Sequence, residues 1–283
     1  MNHFEYRNGE MFAEQVPLKR IAQEVGTPAY VYSLATLKRH FKVFDQAFAK
    51  ARHIVCFSVK ANSNLALLRA FAKEGSGFDI VSGGELFRAL KVGADPKKIV
   101  FSGVGKKKQE IEYALEAGIL MFNVESEEEL FALNEIAAGI GKKAPISLRV
   151  NPDVDPQTHP YISTGMKKAK FGVDIKKSLE TYKKAASLRN VDVVGVDCHI
   201  GSQLTSVTPF VDALAKVREY LDRVLADLRH EQLGVVAIRR EERLVVLDDH
   251  ELPVTDEAAA RVHDPARRRR AHRLLLVAAD TQA

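Results

Sequence analysis

Lys60 carries the clearest chemical signal in the sequence. It lies in the string Ser-Val-Lys-Ala-Asn at residues 58–62, directly after the apolar run at residues 54–57. A lysine that ends a buried strand is partly desolvated, and desolvation favours the neutral amine, which is a nucleophile. The same placement is also typical of an ordinary surface lysine at a strand terminus, so spacing alone leaves both interpretations open.

Three further positions could do chemistry, and each also has a simpler structural explanation. His199 follows an apolar run, as a hydrogen-bonded core histidine would, and Arg149 could pair with a neighbouring carboxylate. The string Gly-Val-Gly-Lys at residues 103–106 is similar to a phosphate loop, but it lacks the Walker A spacing and the Ser or Thr that follows the lysine. No group of His, Cys and Asp has metal-ligand spacing, so we expect no metal.

Six short β-branched runs alternate with amphipathic stretches and define the elements that must position these residues. The runs lie at residues 54–57, 78–81, 99–101, 120–124, 146–150 and 193–197. Regular strand–helix alternation predicts an α/β fold with a parallel sheet that is covered on both faces. We expect a (β/α)8 TIM-type barrel with six recognisable units, because no Gly-x-Gly-x-x-Gly follows the first strand as a Rossmann sheet would require. In such a barrel the active site lies at the carboxyl ends of the strands.

The composition is that of a globular enzyme and argues against several other classes of protein. The net charge of +5 comes from lysines beside glutamates in helical patterns, without interleaved aromatics, which favours solvated helix faces over a nucleic-acid surface. The two cysteines lie in apolar segments and are expected to be reduced. Neither a signal peptide nor a run long enough to cross a membrane is evident, so we predict a cytoplasmic protein.

Residue usage changes abruptly near residue 216. All 14 Phe and every Lys lie at or before that residue, and only one of the 17 Gly lies after it, whereas arginine continues to the end. A segment from a shifted reading frame or from an unrelated sequence would show this change, and a second natural domain is the alternative. We therefore divide the chain into an N-terminal segment (residues 1–33), a partial barrel (34–216) and an atypical Arg-rich tail (217–283).

Five short sequence motifs before residue 216 resemble, in the same order, motifs of the diaminopimelate decarboxylases. These enzymes belong to the alanine-racemase-like barrel class of pyridoxal-phosphate enzymes, and the resemblance covers about residues 5–216. The strings are Ser-Val-Lys-Ala-Asn (58–62), Phe-Asp-Ile-Val-Ser-Gly-Gly-Glu-Leu (78–86), Arg-Val-Asn-Pro (149–152), Lys-Phe-Gly (170–172) and His-Ile-Gly-Ser-Gln (199–203).

The resemblance implies pyridoxal 5'-phosphate as cofactor and assigns residues to it. Lys60 is expected to bind the cofactor aldehyde covalently and so to be the catalytic residue. His199 is expected to pack against the cofactor ring, and Ser202 to donate a hydrogen bond to its phosphate. The predicted cofactor site also includes Asp79.

The resemblance further implies a supporting network and a reaction. Asp79 and Glu85 are expected to place the lysine and the histidine, and Arg149 to belong to the same polar network. The implied reaction converts meso-2,6-diaminoheptanedioate into L-lysine and carbon dioxide. A homodimer is expected from the intact family, with an amino-acid substrate and without a nucleic-acid or membrane partner.

Several parts of the family pattern are absent from the sequence. No Gly-Gly-Gly run is present to bind the cofactor phosphate, no Glu-Pro-Gly-Arg string to pair with the pyridinium nitrogen, and no Cys-Glu-x-x-Asp segment to complete the site from a partner subunit. Two hypotheses therefore stand: a pyridoxal-phosphate decarboxylase by descent, or a non-catalytic remnant from truncation or a frameshift.

Overall fold

The computed structural model of the chain describes residues 2–152, 171–201, 206–230 and 245–248. A small antiparallel sheet comes first, with β1 (Phe4–Arg7), β2 (Glu10–Ala13) and β3 (Val16–Pro17). Two helices follow, α1 (Leu18–Val25) and α2 (Leu34–Ala47). This N-terminal part precedes the larger parallel sheet, which carries the site.

Strands and helices alternate through the larger part of the structure. The strands are β4 (His53–Ser58), β5 (Gly77–Ile80), β6 (Ile99–Phe101), β7 (Met121–Val124), β8 (Ala144–Asn151), β9 (Val173–Asp174), β10 (Val191–Asp197) and β11 (Val245–Asp248). The helices are α3 (Leu65–Glu74), α4 (Gly83–Lys91), α5 (Lys108–Ala117), α6 (Glu127–Gly139), α7 (Ser178–Ser187) and α8 (Thr208–His230).

From β4 to β10 the order of strands across the sheet follows the order along the chain, whereas β11 pairs with β4. The full order runs β10-β8-β7-β6-β5-β4-β11, every neighbouring pair is parallel, and the short β9 pairs with β8. The prediction of six βα units in an incomplete barrel is confirmed. The common direction brings the carboxyl ends of the strands to one edge, where the chemistry of such folds is found.

Local sequence explains where the helices begin. Ser82 precedes α4 and its Oγ accepts a hydrogen bond from the Glu85 N–H at 3.3 Å, and Ser126 caps α6 in the same way with the Glu129 N–H at 3.2 Å. Such caps satisfy backbone donors that have no partner within the helix. Each cap therefore fixes the short loop between a strand and the following helix, from β5 to α4 and from β7 to α6.

The core lies between the sheet and its helices and is rich in aromatic side chains. Phe78, Phe101 and Phe122 on neighbouring strands are completely buried, and the rings of Phe101 and Phe122 stack with centroids 5.8 Å apart. Both cysteines, Cys56 and Cys198, are buried and neither forms a disulfide. No helix in the described residues is long and apolar enough to cross a membrane.

Two elements of the structure, α8 and β11, contain residues beyond residue 216. Helix α8 continues without a break across the change in composition, from Thr208 to His230. Strand β11 pairs in parallel with β4, so that Val245 lies beside His53 and Asp248 beside Cys56. Two β-branched runs in this part of the sequence, at residues 235–238 and 244–247, are typical of strands. The second overlaps β11, and the first lies outside the described residues.

Candidate active site

Lys60 and Asp79 lie at the ends of two neighbouring strands, at the carboxyl edge of the sheet. Lys60 belongs to a 3-10 turn, Val59–Ala61, that follows β4 directly, and Asp79 on β5 is in register with the last residue of β4, Ser58. Burial raises the pKa of the Asp79 carboxyl to about 6, while a hydrogen bond from Ser102 and the positive charge of Lys60 act against this shift. The Lys60 charge therefore favours the ionised form of a carboxyl group that burial would otherwise keep protonated more easily.

Glu85 approaches the same lysine from the first turn of α4. Its Oε2 accepts a hydrogen bond from the Val81 backbone N–H at 2.7 Å, which fixes the carboxylate against the end of β5. Burial raises the pKa of Glu85, and the Val81 N–H and the Lys60 charge oppose the shift. Two carboxyl groups with raised pKa values thus act electrostatically on Lys60 from different elements.

Arg149 on β8 forms a buried ion pair with Glu125, which follows β7. The Arg149 Nη1 donates to the Glu125 Oε1 at 2.9 Å, and the same oxygen accepts from the Gly103 N–H at 3.1 Å. The side chains are 9% and 2% exposed, so water screens the pair little. The contact ties the ends of three neighbouring strands together.

The loop that enters β9 covers Arg149. The Phe171 ring lies 5.8 Å from the guanidinium carbon, and its carbonyl accepts a hydrogen bond from the Asn151 Nδ2 at 2.8 Å. Gly172 has a φ of +83°, and a Cβ there would lie 3.1 Å from Arg149 Cγ and 3.1 Å from Asn151 Oδ1. Only glycine allows the backbone to approach the arginine this closely in this conformation.

Asp197 and His199 bring the end of β10 into the same site. Burial raises the pKa of Asp197 to about 7, although the charge of Arg149 lowers it. Burial, with the positive charges of Arg149 and Lys60, lowers the pKa of His199 well below its usual value. The His199 imidazole is therefore neutral at physiological pH and can pack against a flat ligand.

The structure thus gathers five of the six residues that the sequence singled out. Lys60, Asp79, Glu85, Arg149 and His199 lie on different elements, and their charges act on one another. The sixth, Ser202, lies outside the described residues, so its expected hydrogen bond to phosphate stays a prediction.

Five buried polar atoms at this edge lack a hydrogen-bond partner in the described parts of the chain. They are Ser58 Oγ, Glu125 Oε2, Arg149 Nε, Asn151 Oδ1 and Asp197 Oδ1. Buried polar groups are nearly always hydrogen-bonded in native proteins, so such a cluster indicates a ligand or bound water. Because the set contains donors and acceptors, it fits a compact polar cofactor with groups of both kinds.

Lys106, which ends the string similar to a phosphate loop, has a structural role. Its ammonium donates to the Gly103 carbonyl at 2.7 Å, to the Asn123 carbonyl at 2.9 Å and to Glu129 Oε1 at 2.6 Å. The side chain is fully buried. Three acceptors saturate the three ammonium hydrogens, so Lys106 holds the strand ends rather than a phosphate.

Sequence reasoning gave no role to several polar residues that build this edge. Ser102 and Glu125 directly follow the apolar runs at residues 99–101 and 120–124, and Asn123 is a polar residue within the second of these runs. Their roles depend on which strand lies beside which. Asp197 is a charge at the end of an apolar run and could have been noticed in the same way.

A cleft of about 330 Å³ lies at the opposite, amino-terminal end of the strands. Lys97, Lys142 and Asp192 are among the residues that line it. The Lys142 ammonium donates to the Leu115 carbonyl at 2.8 Å and so neutralises the last turn of α5. In the described residues no group of three or more His, Cys, Asp or Glu side chains could hold a metal ion.

Comparison with known proteins identifies relatives of this arrangement. The pattern of the family described as "Pyridoxal-dependent decarboxylase, pyridoxal binding domain" matches residues 34–231. Diaminopimelate decarboxylase from Pseudomonas aeruginosa is 54% identical over 237 residues, which are 83% of this chain and 57% of the relative. The Haemophilus influenzae enzyme of the same name is 52% identical over the same shares. The chain thus spans somewhat more than half the length of these relatives.

Solved structures show the same fold. The diaminopimelate decarboxylase of M. jannaschii in co-complex with L-lysine superposes with a TM-score of 0.81 at 36% identity, covering 97% of this chain and 65% of that one. The Helicobacter pylori enzyme complexed with L-lysine gives a TM-score of 0.76 at 37% identity, covering 92% and 65%.

Proposed function

The chain belongs to the pyridoxal-dependent decarboxylases, and from this premise we propose that it acts on meso-2,6-diaminoheptanedioate, releasing carbon dioxide and leaving L-lysine. The cofactor of this family is pyridoxal 5'-phosphate. The relatives named diaminopimelate decarboxylase support the substrate, and the two relatives solved with L-lysine support the product.

The observation that carries the proposal is the convergence of Lys60, Asp79 and His199 at one edge of the sheet. An amine at a strand end, a carboxyl group beside it and a buried neutral imidazole are the groups that a carbonyl cofactor with a flat ring requires. The unpartnered polar atoms of Ser58 and Asp197 lie at the same edge and add hydrogen-bonding capacity for it. The residues present therefore fit pyridoxal phosphate.

Each residue has a defined task in this proposal. When bound, the cofactor supplies a conjugated ring that accepts the electron pair left by the departing carboxylate. Lys60 holds the cofactor through its amine, and Asp79 stabilises positive charge at that nitrogen. His199 packs its neutral ring against the cofactor, and Ser202 donates to the phosphate.

Glu85 and Arg149 orient these groups. The Glu85 carboxylate is fixed by the Val81 N–H, and its charge interacts with that of Lys60. The Arg149 guanidinium is fixed by Glu125 and covered by Phe171. A site with fixed charges needs little rearrangement when charge develops in the reaction.

We also propose a cytoplasmic homodimer that does not bind nucleic acid. Buried cysteines without a disulfide agree with a reducing compartment. Surface lysines pair with glutamates: Lys184 Nζ lies 2.6 Å from Glu127, and Lys38 lies 2.7 Å from Glu74. Paired lysines present less free positive charge to a polyanion. The division at residue 216 and the separate origin of the tail remain part of the proposal, and the dimer rests on the family resemblance.

A second candidate is a chain that binds the cofactor without turning over substrate. The sequence holds no Gly-Gly-Gly run and no Glu-Pro-Gly-Arg string, the parts that would anchor the phosphate and pair with the pyridinium nitrogen. This observation favours the non-catalytic alternative while it leaves the lysine site intact.

One assay separates the two candidates. Carbon dioxide release from meso-2,6-diaminoheptanedioate is measured at saturating cofactor for the full chain, for Lys60→Ala and for the control Lys98→Ala. Release that is lost only in Lys60→Ala supports the decarboxylase. Bound cofactor without release supports the non-catalytic candidate, and failure to bind the cofactor contradicts both.

A further inference from the structure

A chain of buried hydrogen bonds crosses four neighbouring strand ends and finishes at Asp79. Ser147 Oγ on β8 donates to Asn123 Oδ1 on β7 at 2.6 Å. Asn123 Nδ2 donates to the oxygen of Ser102, after β6, at 2.9 Å. Ser102 Oγ then donates to Asp79 Oδ1 on β5 at 2.5 Å. Ser147 and Asn123 are fully buried, and Asp79 is 4% exposed.

The direction of this chain follows from the charge at its end. An ionised carboxylate can only accept hydrogen bonds, so the Ser102 hydroxyl must donate to Asp79. The Ser102 oxygen is then left to accept from the amide nitrogen of Asn123. This orientation turns the Asn123 carbonyl oxygen towards Ser147, whose hydroxyl donates to it. All three donors therefore point along one path towards Asp79.

We propose that Ser102, Asn123 and Ser147 are positioning residues that keep Asp79 ionised and aimed at Lys60. The inference deepens the proposed function, since it concerns the carboxylate beside the lysine that would hold the cofactor. Hydrogen bonds link the two serines and the asparagine to Asp79 in turn. They act on the lysine through Asp79.

Burial disfavours the ionised form of Asp79, and other groups around it oppose this effect. Desolvation raises its pKa, and the hydrogen bond from Ser102 is the largest opposing effect. Lys60, after β4, and Arg149, on β8, also favour the charged form, while Glu85, on α4, opposes it. Asp197, on β10, is a further carboxyl group within electrostatic range of Asp79.

The nearby charges act on the Asp79 pKa in both directions, and the hydrogen bond from Ser102 is the largest effect that favours the ionised form. Each hydrogen bond in a buried chain polarises the next, so the effect of the distant members reaches the end. Removing Ser102 deletes the direct donor to the carboxylate. Removing Ser147 leaves that donor in place and weakens it through Asn123. We therefore expect a graded response along the chain.

The test measures the Asp79 carboxyl group directly in cofactor-free protein. Full-length chain labelled with 13C-aspartate is titrated by NMR, and the Asp79 signal is assigned by its loss in Asp79→Asn. In Ser102→Ala the midpoint should rise by roughly one pH unit, the size expected for loss of a hydrogen bond to a charged group. Ser147→Ala should give a smaller rise, and Ser102→Thr, which keeps the hydroxyl, should restore the wild-type midpoint.

Ser58→Ala is the matched control. Ser58 is as deeply buried, lies beside Asp79 in the strand register, and its hydroxyl has no partner in the described residues. The titration midpoint of Asp79 in Ser58→Ala should equal that in the wild type. An unchanged midpoint in Ser102→Ala, or an equal rise in Ser58→Ala, would overturn the inference.

The two proposals fail separately. Because the titration needs neither cofactor nor substrate, a shift in Ser102→Ala supports the donor chain even in a protein whose Lys60 takes no cofactor. In that case the proposed function alone fails.

Discussion

Asp197 on β10 lies directly beside Arg149 on β8 in the parallel register, and both side chains are buried. The Asp197 Oδ1 and the Arg149 Nε each lack a hydrogen-bond partner in the described residues. Burying an acidic and a basic group that each keep an unpaired polar atom lowers the free energy of unfolding, unless a ligand supplies the missing hydrogen bonds. We infer that this pair lowers the stability of the ligand-free protein and that its unpaired atoms bind a ligand.

Asp197→Asn should therefore stabilise the protein at neutral pH. Burial raises the pKa of Asp197 to about 7 from a usual value of 3.8, so the folded state holds a proton that the unfolded state releases. The stability of the wild type then falls as pH rises from about 4 to about 7 and levels off above that. Asn cannot ionise, so the variant's advantage should grow by roughly 2–3 kcal/mol between pH 5 and pH 8.

Urea unfolding at several pH values checks this prediction. The difference in unfolding free energy between variant and wild type should be small at pH 4 and largest above pH 7. A difference that stays constant with pH would show that Asp197 ionises normally in the folded protein.

Glu125→Ala should be strongly destabilising because it leaves the Arg149 charge buried without its partner. Breaking one side of a buried ion pair costs about 3–5 kcal/mol. The matched control is Glu24→Ala, which breaks a pair of similar length, 2.7 Å to Arg20, in which both side chains are more than half exposed. We expect that change to cost far less, because water screens an exposed ion pair. Equal losses in thermal or urea unfolding would contradict the buried pair's importance.

Gly172→Ala should displace Arg149 and weaken cofactor binding. The new methyl group would lie 3.1 Å from the Arg149 side chain and from its carbonyl oxygen. Gly93→Ala is the control, since Gly93 has a similar φ of +87° with nothing within 4 Å of the added carbon. Both variants should lose about 1–2 kcal/mol from backbone strain, but only Gly172→Ala should raise the Kd for pyridoxal phosphate. An equal Kd in both variants would argue against a role for this loop.

Turnover by this chain should be at least roughly tenfold below that of an intact homologue. Charge-assisted hydrogen bonds contribute roughly 1.5–3 kcal/mol each, and the sequence lacks the glycine run that would supply several of them to the phosphate. Carbon dioxide release from meso-2,6-diaminoheptanedioate, assayed beside an intact homologue, measures this. Turnover within tenfold of the homologue would mean that the tail rebuilds the missing contacts.

The sequence predicts the strand order and the position of Lys60 because both follow from local patterns. Apolar runs mark strands, and the residue after each run marks the active edge. Contacts between strands are harder to predict. Arg149 and Glu125 are 24 positions apart, and Ser102 and Asp79 are 23 apart, so their pairing depends on register and on side-chain direction. The pairing of β11 with β4 joins still more distant segments and has no local signal.

Borohydride trapping at Lys60 tests the central claim most directly. The full chain is incubated with pyridoxal phosphate, reduced, digested and analysed by mass spectrometry for the modified lysine. The account predicts the label on Lys60, with Lys106 unmodified because its ammonium is buried among three acceptors. Label on exposed lysines such as Lys107 and Lys108, with Lys60 unmodified, would contradict the assignment of this edge as the cofactor site.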